Sequence, residues 1–278
     1  MKLSHILMLS ATALFSFAAC DNIDESERFE GPFGGGDNSP GVTVKKNVLI
    51  EDYTGQKCSN CPRAHEAIED LHGVYGADRV IAVALHGGPQ AVDASNKKVL
   101  GLANDESKEY NTRAAVPSYP KGVVDRQNGL QDFEKWAAGV ATRMNVTPKV
   151  DIAINNLSYN AETRQVAFDT QVKGLETVDG NLQVWLIESG IEALQTMPTG
   201  EVNKTYIHNH VFRGTVNGFD GDVLHVEAEQ TINKPYTYTL QEKWNAENAA
   251  LVAFYYNATD GVIQVIELPI SESPVINK

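Results

Sequence analysis

Residues 55–71, GQKCSNCPRAHEAIEDL, admit few local structures. Cys58 and Cys61 stand three apart, Pro62 follows at once, and Ala64, Ala67, Ile68 and Leu71 then fall on one helical stripe. Just upstream, VTVKKNVLIEDY is a strand candidate. A strand must hand over to a helix within a few residues, with the cysteine pair at the junction. Pro62 lies within the first helical turn, where its missing N–H costs little. Such a pair is a working dithiol, half of a metal site or a structural staple, and the redox compartment helps to decide among them.

The first twenty residues, MKLSHILMLSATALFSFAAC, address that compartment. Lys2 begins a short n-region, and residues 6–19 form an apolar stretch too short to span a bilayer comfortably. Phe17, Ala18 and Ala19 then lead directly into Cys20, an ending that resembles a bacterial lipobox, whose cysteine is lipidated and becomes the first mature residue. The expectation is a lipoprotein signal peptide over 1–19 and a lipid on Cys20, anchoring the chain to the outer membrane on its periplasmic or surface face. Residues 20–41 are acidic and then Gly/Pro-rich, and read as a tether. Its acidic run (Asp21, Asp24, Glu25, Glu27) resembles signals that some Gram-negative lineages use to send lipoproteins to the cell surface; a solvated linker has the same composition.

With Cys20 assigned to lipid, only Cys58 and Cys61 remain. One closely spaced pair is no disulfide scaffold, because so short a loop barely constrains an unfolded chain. A four-ligand zinc site needs two more ligands, and the sequence has no second CxxC and no HxxxH. The pair is therefore redox chemistry or a remnant of it, and no metal or cofactor is expected. Nucleic acid is excluded as a partner: 36 acidic residues oppose 23 basic ones, for a net charge of −13, with no Lys/Arg-rich run.

From residue 42 the pattern alternates strand and helix: the helix after Cys58, then RVIAVALH as a buried strand, a looser segment over 87–104, a short helix over 105–113, KGVVDR as a strand, and LQDFEKWAAGVATRM as a closing helix. Near Pro148 the texture changes to short alternating strands divided by turn residues, which reads as an antiparallel β-sandwich. The expected fold class is an α/β domain over 42–147 followed by an all-β sandwich domain over 148–278.

The segment VLIEDYTGQKCSNCP resembles the active-site strand, turn and helix start of a thioredoxin-like domain. The whole arrangement resembles the Omp28-related outer-membrane lipoproteins, most sharply in residues 54–62, in YPKGVVDR (119–126) and in YIHNHVFR (206–213). The resemblance implies that Cys58 attacks and Cys61 resolves in thiol–disulfide exchange with a protein partner. It also implies that Asp52 is the buried carboxylate serving the second thiol, with Glu51 as the other candidate, since strand alternation sends one of the two inward. A cis-proline before a central strand is implied at Pro120, ahead of Pro117. In two places the chain departs from the thioredoxin pattern: Lys57 stands where tryptophan often precedes the first cysteine, and Ser59-Asn60 separates the pair, so the direction of exchange stays open.

His208 and His210 lie two apart and would share one face of a strand, with His225 a distant third, but no carboxylate or cysteine completes a ligand set by spacing. His86 ends a strand beside Gly87-Gly88, at the sheet end where ligands enter open α/β folds. The rival to an exchange enzyme is a surface-binding or adhesin-like lipoprotein that uses the thioredoxin fold as a scaffold around a closed disulfide. An exposed Cys58 flanked by a cis-proline favours exchange; a Cys58 buried by the second half favours the scaffold. The oligomeric state is not legible in the sequence.

Overall fold

The computed structural model describes residues 44–272. The expected signal peptide, Cys20 and the expected tether lie outside these residues. Among the described residues no helix is long and apolar enough to cross a membrane. Among the described residues strand is the predominant regular structure, with fourteen β-strands and three α-helices.

The first half runs β1 (Val48–Thr54), α1 (Cys61–Tyr75), β2 (Val80–His86), α2 (Asp105–Arg113), β3 (Lys121–Val124), β4 (Gln127–Gln131) and α3 (Trp136–Arg143). β1 pairs parallel with β2 and antiparallel with β3. α1 turns Ala64, Ile68 and Leu71 inward, onto Val48, Ile50, Val80 and Ala82. α2 opens with a capping box in which the Asn104 side chain accepts from Ser107 N and Ser107 Oγ accepts from Asn104 N.

β1 departs from the expected alternation. Glu51 and Asp52 are both buried, at 3 % and 0 % exposure, because β1 is central and covered on both faces. Glu51 is met by Arg126, Nε to Oε1 at 2.6 Å, while Asp52 faces the α1 side. The segment expected to close this half as one helix also differs. Asp125 and Arg126 both hold positive φ, 49° and 55°, and make a two-residue hairpin turn of the type that matches strand twist. Residues 127–131 consequently return as β4, and α3 begins only at Trp136 after a 3₁₀ turn.

The second half contributes β5 (Val150–Asn160), β6 (Gln165–Gly174), β7 (Val178–Glu188), β8 (Ile191–Thr196), β9 (Val202–His208), β10 (Val211–Thr215), β11 (Asp222–Val226), β12 (Thr231–Thr239), β13 (Ala249–Asn257) and β14 (Gly261–Pro269). The antiparallel strands expected here are present. The main sheet, however, crosses residue 147: its order is β14-β13-β7-β10-β2-β1-β3-β4, with β11 also on β7. The seam is the parallel contact of β10 with β2, where Ala84 N donates to His210 O at 2.8 Å. A second sheet, β12-β6-β5, packs its apolar face (Val166, Phe168, Val172) on β7 and β13, and the β8–β9 hairpin stands apart from both sheets.

Asp125 ties the halves together from the turn after β3. Its carboxylate accepts Leu49 N at 2.8 Å, Lys46 Nζ at 2.7 Å and Arg143 Nε at 2.8 Å. Arg143 also donates to the carbonyls of Asp260 and Val262 beside β14. Lys46 and Asp125 are wholly buried as a pair, an arrangement tolerated only when each charge is met.

Candidate functional site

Cys58 and Cys61 occupy the junction between β1 and α1, their sulfurs 2.16 Å apart in a disulfide. Cys61 is the first residue of α1, with Pro62 in its opening turn; Cys58 precedes the helix by three residues. The Cys61 N–H nevertheless points at Cys58 Sγ, 3.1 Å away, so the electropositive end of α1 is directed at that sulfur. The approach to the pair is fixed by Gly55, where a Cβ would stand 2.7 Å from the Gln90 carbonyl carbon, and by Lys57 N, which donates to Gln90 O.

Neither cysteine reaches solvent: Cys58 is 1 % exposed and Cys61 0 %. The cover is the β8–β9 hairpin, from the second half of the chain. The buried Gln195 amide donates to Cys58 O at 2.7 Å, Thr196 N donates to Gln56 O at 2.8 Å, and Gln56 Nε2 reaches Leu194 O at 3.3 Å. Gln56 also holds the loop over 87–104, through Leu100 O and Leu102 N. The hairpin was not legible as a cover, since its strands carry only the ordinary alternating pattern.

On the α1 side of β1 lie Asp52 and a group of histidines. Both oxygens of Asp52 are shielded from water and have no hydrogen-bond partner, and burial pushes its carboxyl up to about 8. His65, on α1, places Nε2 3.3 Å from Thr54 Oγ1 and 3.7 Å from Asp52 Oδ2, and Nδ1 2.8 Å from Tyr206 Oη. Burial, then the nearby His208 and His210, brings the His65 imidazole down to about 3, so it is neutral. His208 and His86 meet edge to face with centroids 5.4 Å apart, and burial lowers both. Asp52 and His65 line one wall of a cavity of about 340 Å³ between α1 and the β9–β10 segment, with Glu66, Glu69, Tyr206 and His210.

The structure separates His208 from His210. β9 ends at His208, and His210 takes a left-handed φ of 56°, so strand alternation does not carry across. His208 turns to His65 and His86, whereas His210 meets His72 of α1, centroids 5.4 Å apart. His225 sits elsewhere, on the exposed face of β11 with Nδ1 2.7 Å from Asp179. Of the two prolines, Pro117 is exposed and Pro120 is buried, with the Tyr119–Pro120 bond cis. One register step before the Tyr53–Lys121 pair, Pro120 shares the sheet end of Thr54 and the cysteine loop.

A family model described as "Outer membrane protein Omp28" matches residues 107–273. YPKGVVDR and YIHNHVFR fall inside that match, and the Cys58–Cys61 segment lies before it. No curated protein matches the chain. Among solved structures, HBP35 of Porphyromonas gingivalis is similar in fold, with a TM-score of 0.64 at 17 % identity over 84 % of this chain and 78 % of that one. A domain of the outer membrane lipoprotein Omp28 from Porphyromonas gingivalis is 26 % identical over 45 % of this chain and 99 % of that one, with a TM-score of 0.33. Protein AGR_C_4864 from Agrobacterium tumefaciens is 13 % identical over 85 % of this chain and all of that one, with a TM-score of 0.48. The family match takes in more than half of the sequence, and the chain belongs to the Omp28 family of outer membrane proteins.

Proposed function

We propose that this chain is a cell-envelope lipoprotein, anchored through Cys20, whose β2-β1-β3-β4 unit with α1 and α3 is a thioredoxin-like module carrying a covered dithiol. In this reading Cys58 is the attacking thiol and Cys61 the resolving one, and the partner is an extracytoplasmic protein thiol or disulfide. The observation that carries it is the direction of the Cys61 N–H onto Cys58 Sγ at the start of α1, which favours a thiolate at Cys58 once the bond is reduced. The unpartnered Asp52 carboxyl behind α1 supports it as a proton store for the second thiol. For a partner to reach Cys58, the β8–β9 hairpin must move.

The burial of Cys58 beneath that hairpin favours a second reading, in which the disulfide stays closed and the module is a scaffold for surface binding. The reduction potential of the pair in the purified chain separates the two, with Cys58→Ser as control and a disulfide reductase assay alongside. A value between about −120 and −270 mV, with turnover lost in the variant, supports exchange. A value below about −300 mV without turnover is that of an inert structural disulfide and rejects it.

A further inference from the structure

Beside the cavity between α1 and the β9–β10 segment, Glu69 and His210 of its lining meet His72, bringing together three metal-ligand side chains from two distant parts of the sequence. Glu69 and His72 stand three apart on α1, on neighbouring positions of one helix face. His210 approaches them from the left-handed turn between β9 and β10. One ligand atom from each lies within 4.8 Å of the other two. Ligands on a tetrahedral ion with bonds of about 2.0–2.2 Å stand roughly 3.3–3.6 Å apart, so side-chain rotation of an ångström or so closes the set.

Two further features point to an ion there. His72 Nε2 lies 2.9 Å from Val80 O. A carbonyl oxygen only accepts, so Nε2 carries the proton and the lone pair of the neutral ring is left on Nδ1. A backbone carbonyl holding the second ring nitrogen in this way is how metal-binding histidines are commonly oriented. On the other side, His210 Nδ1 is shielded from water and has no hydrogen-bond partner, a cost that a positive ion in reach of the ring offsets. Glu69 is exposed and supplies the carboxylate.

We propose that Glu69, His72 and His210 form a binding site for a first-row divalent transition-metal ion, with zinc fitting the two-imidazole, one-carboxylate set. Three protein ligands leave a fourth position for water or a ligand atom. Glu69 and His210 also line the cavity that holds Asp52 and His65, so the open position gives onto that space. The site stands whether or not Cys58 and Cys61 exchange.

The test is titration of the chelator-treated full chain with Zn²⁺ by calorimetry, and with Co²⁺ by its visible spectrum. The expected result is one site, a tetrahedral or five-coordinate Co²⁺ spectrum, and at least tenfold weaker binding in Glu69→Gln, His72→Gln and His210→Gln; losing a ligand should cost no less than the tenfold or more that losing an outer-shell partner does. His225→Gln should leave it unchanged. Glu69 is exposed, so Glu69→Gln tests the site even if a histidine variant does not fold. Failure to bind either ion, binding that survives Glu69→Gln, or binding that disappears with His225 overturns the proposal.

Discussion

The Gln195 side chain donates to the carbonyl oxygen of Cys58 over 2.7 Å, bridging 137 residues of sequence. The same amide nitrogen also reaches Thr196 O at 3.0 Å, and Gln195 is wholly buried. The backbone of the first cysteine is therefore held by a residue from the far half of the chain. In Gln195→Ala the Cys58 carbonyl loses this donor, at a cost of about 1–3 kcal/mol. The expected outcome is a lower denaturation midpoint and severalfold faster reduction of the disulfide by dithiothreitol. An unchanged reduction rate would mean that the hairpin does not limit access.

Asp52 makes stability depend on pH in an unusual direction. Its carboxyl sits at about 8 in the folded chain against 3.8 when unfolded, so between those values the folded state holds a proton that the unfolded state has released. This contribution is full below about 3.8, falls as pH rises and levels off above about 8. Asp52→Asn mimics the protonated form. It should raise the urea midpoint at pH 7 and flatten the decline between pH 4 and 8, measured against wild type at each pH. A variant less stable than wild type at pH 7 would show that the carboxylate is ionised and satisfied.

Asp125 should be among the costliest surface-remote positions to change. Asp125→Ala leaves Lys46 without its buried partner and removes acceptors from Arg143 and Leu49 N. Breaking a buried pair from one side costs about 3–5 kcal/mol. Urea unfolding should report a loss of that order, and Lys46→Met in the Asp125→Ala background should restore part of it, since the uncompensated charge is then gone.

Gly55 controls how closely the cysteine loop approaches residues 90 and 91. A Cβ there meets backbone atoms of both at 2.7–2.8 Å, and backbone gives way less readily than a side-chain tip. Gly55→Ala is expected to cost about 1–3 kcal/mol by overpacking. Because Lys57 N is bonded to Gln90 O, the variant should also speed alkylation of the reduced cysteines.

The legible parts of this molecule are those governed by short-range rules. β2 shows as an unbroken apolar run, α2 as a short helix over 105–113, and the start of α1 as Cys-Pro after a strand. β4 was hidden because Gln127–Gln131 has almost no apolar pattern and is defined by two positive-φ residues before it. The burial of both Glu51 and Asp52 depends on β1 having neighbours on both edges and cover on both faces, which alternation along one strand cannot reveal. The Gln195 cover and the Glu69–His72–His210 cluster are long-range meetings, and no local pattern encodes them.

The parallel seam between β2 and β10 also imposes an order of events. Ala84 finds its partner at Val211, so the inner strand of the first half is made long before the strand that completes its edge. Pairings so distant in sequence are intrinsically slow to form. Until they form, the newly made chain has no cover over Cys58, and any oxidant or thiol nearby has its freest access then. The shielding of the disulfide is thus a property of the completed chain, since Gln195 and Thr196, which bond the cysteine loop, come from the half made last.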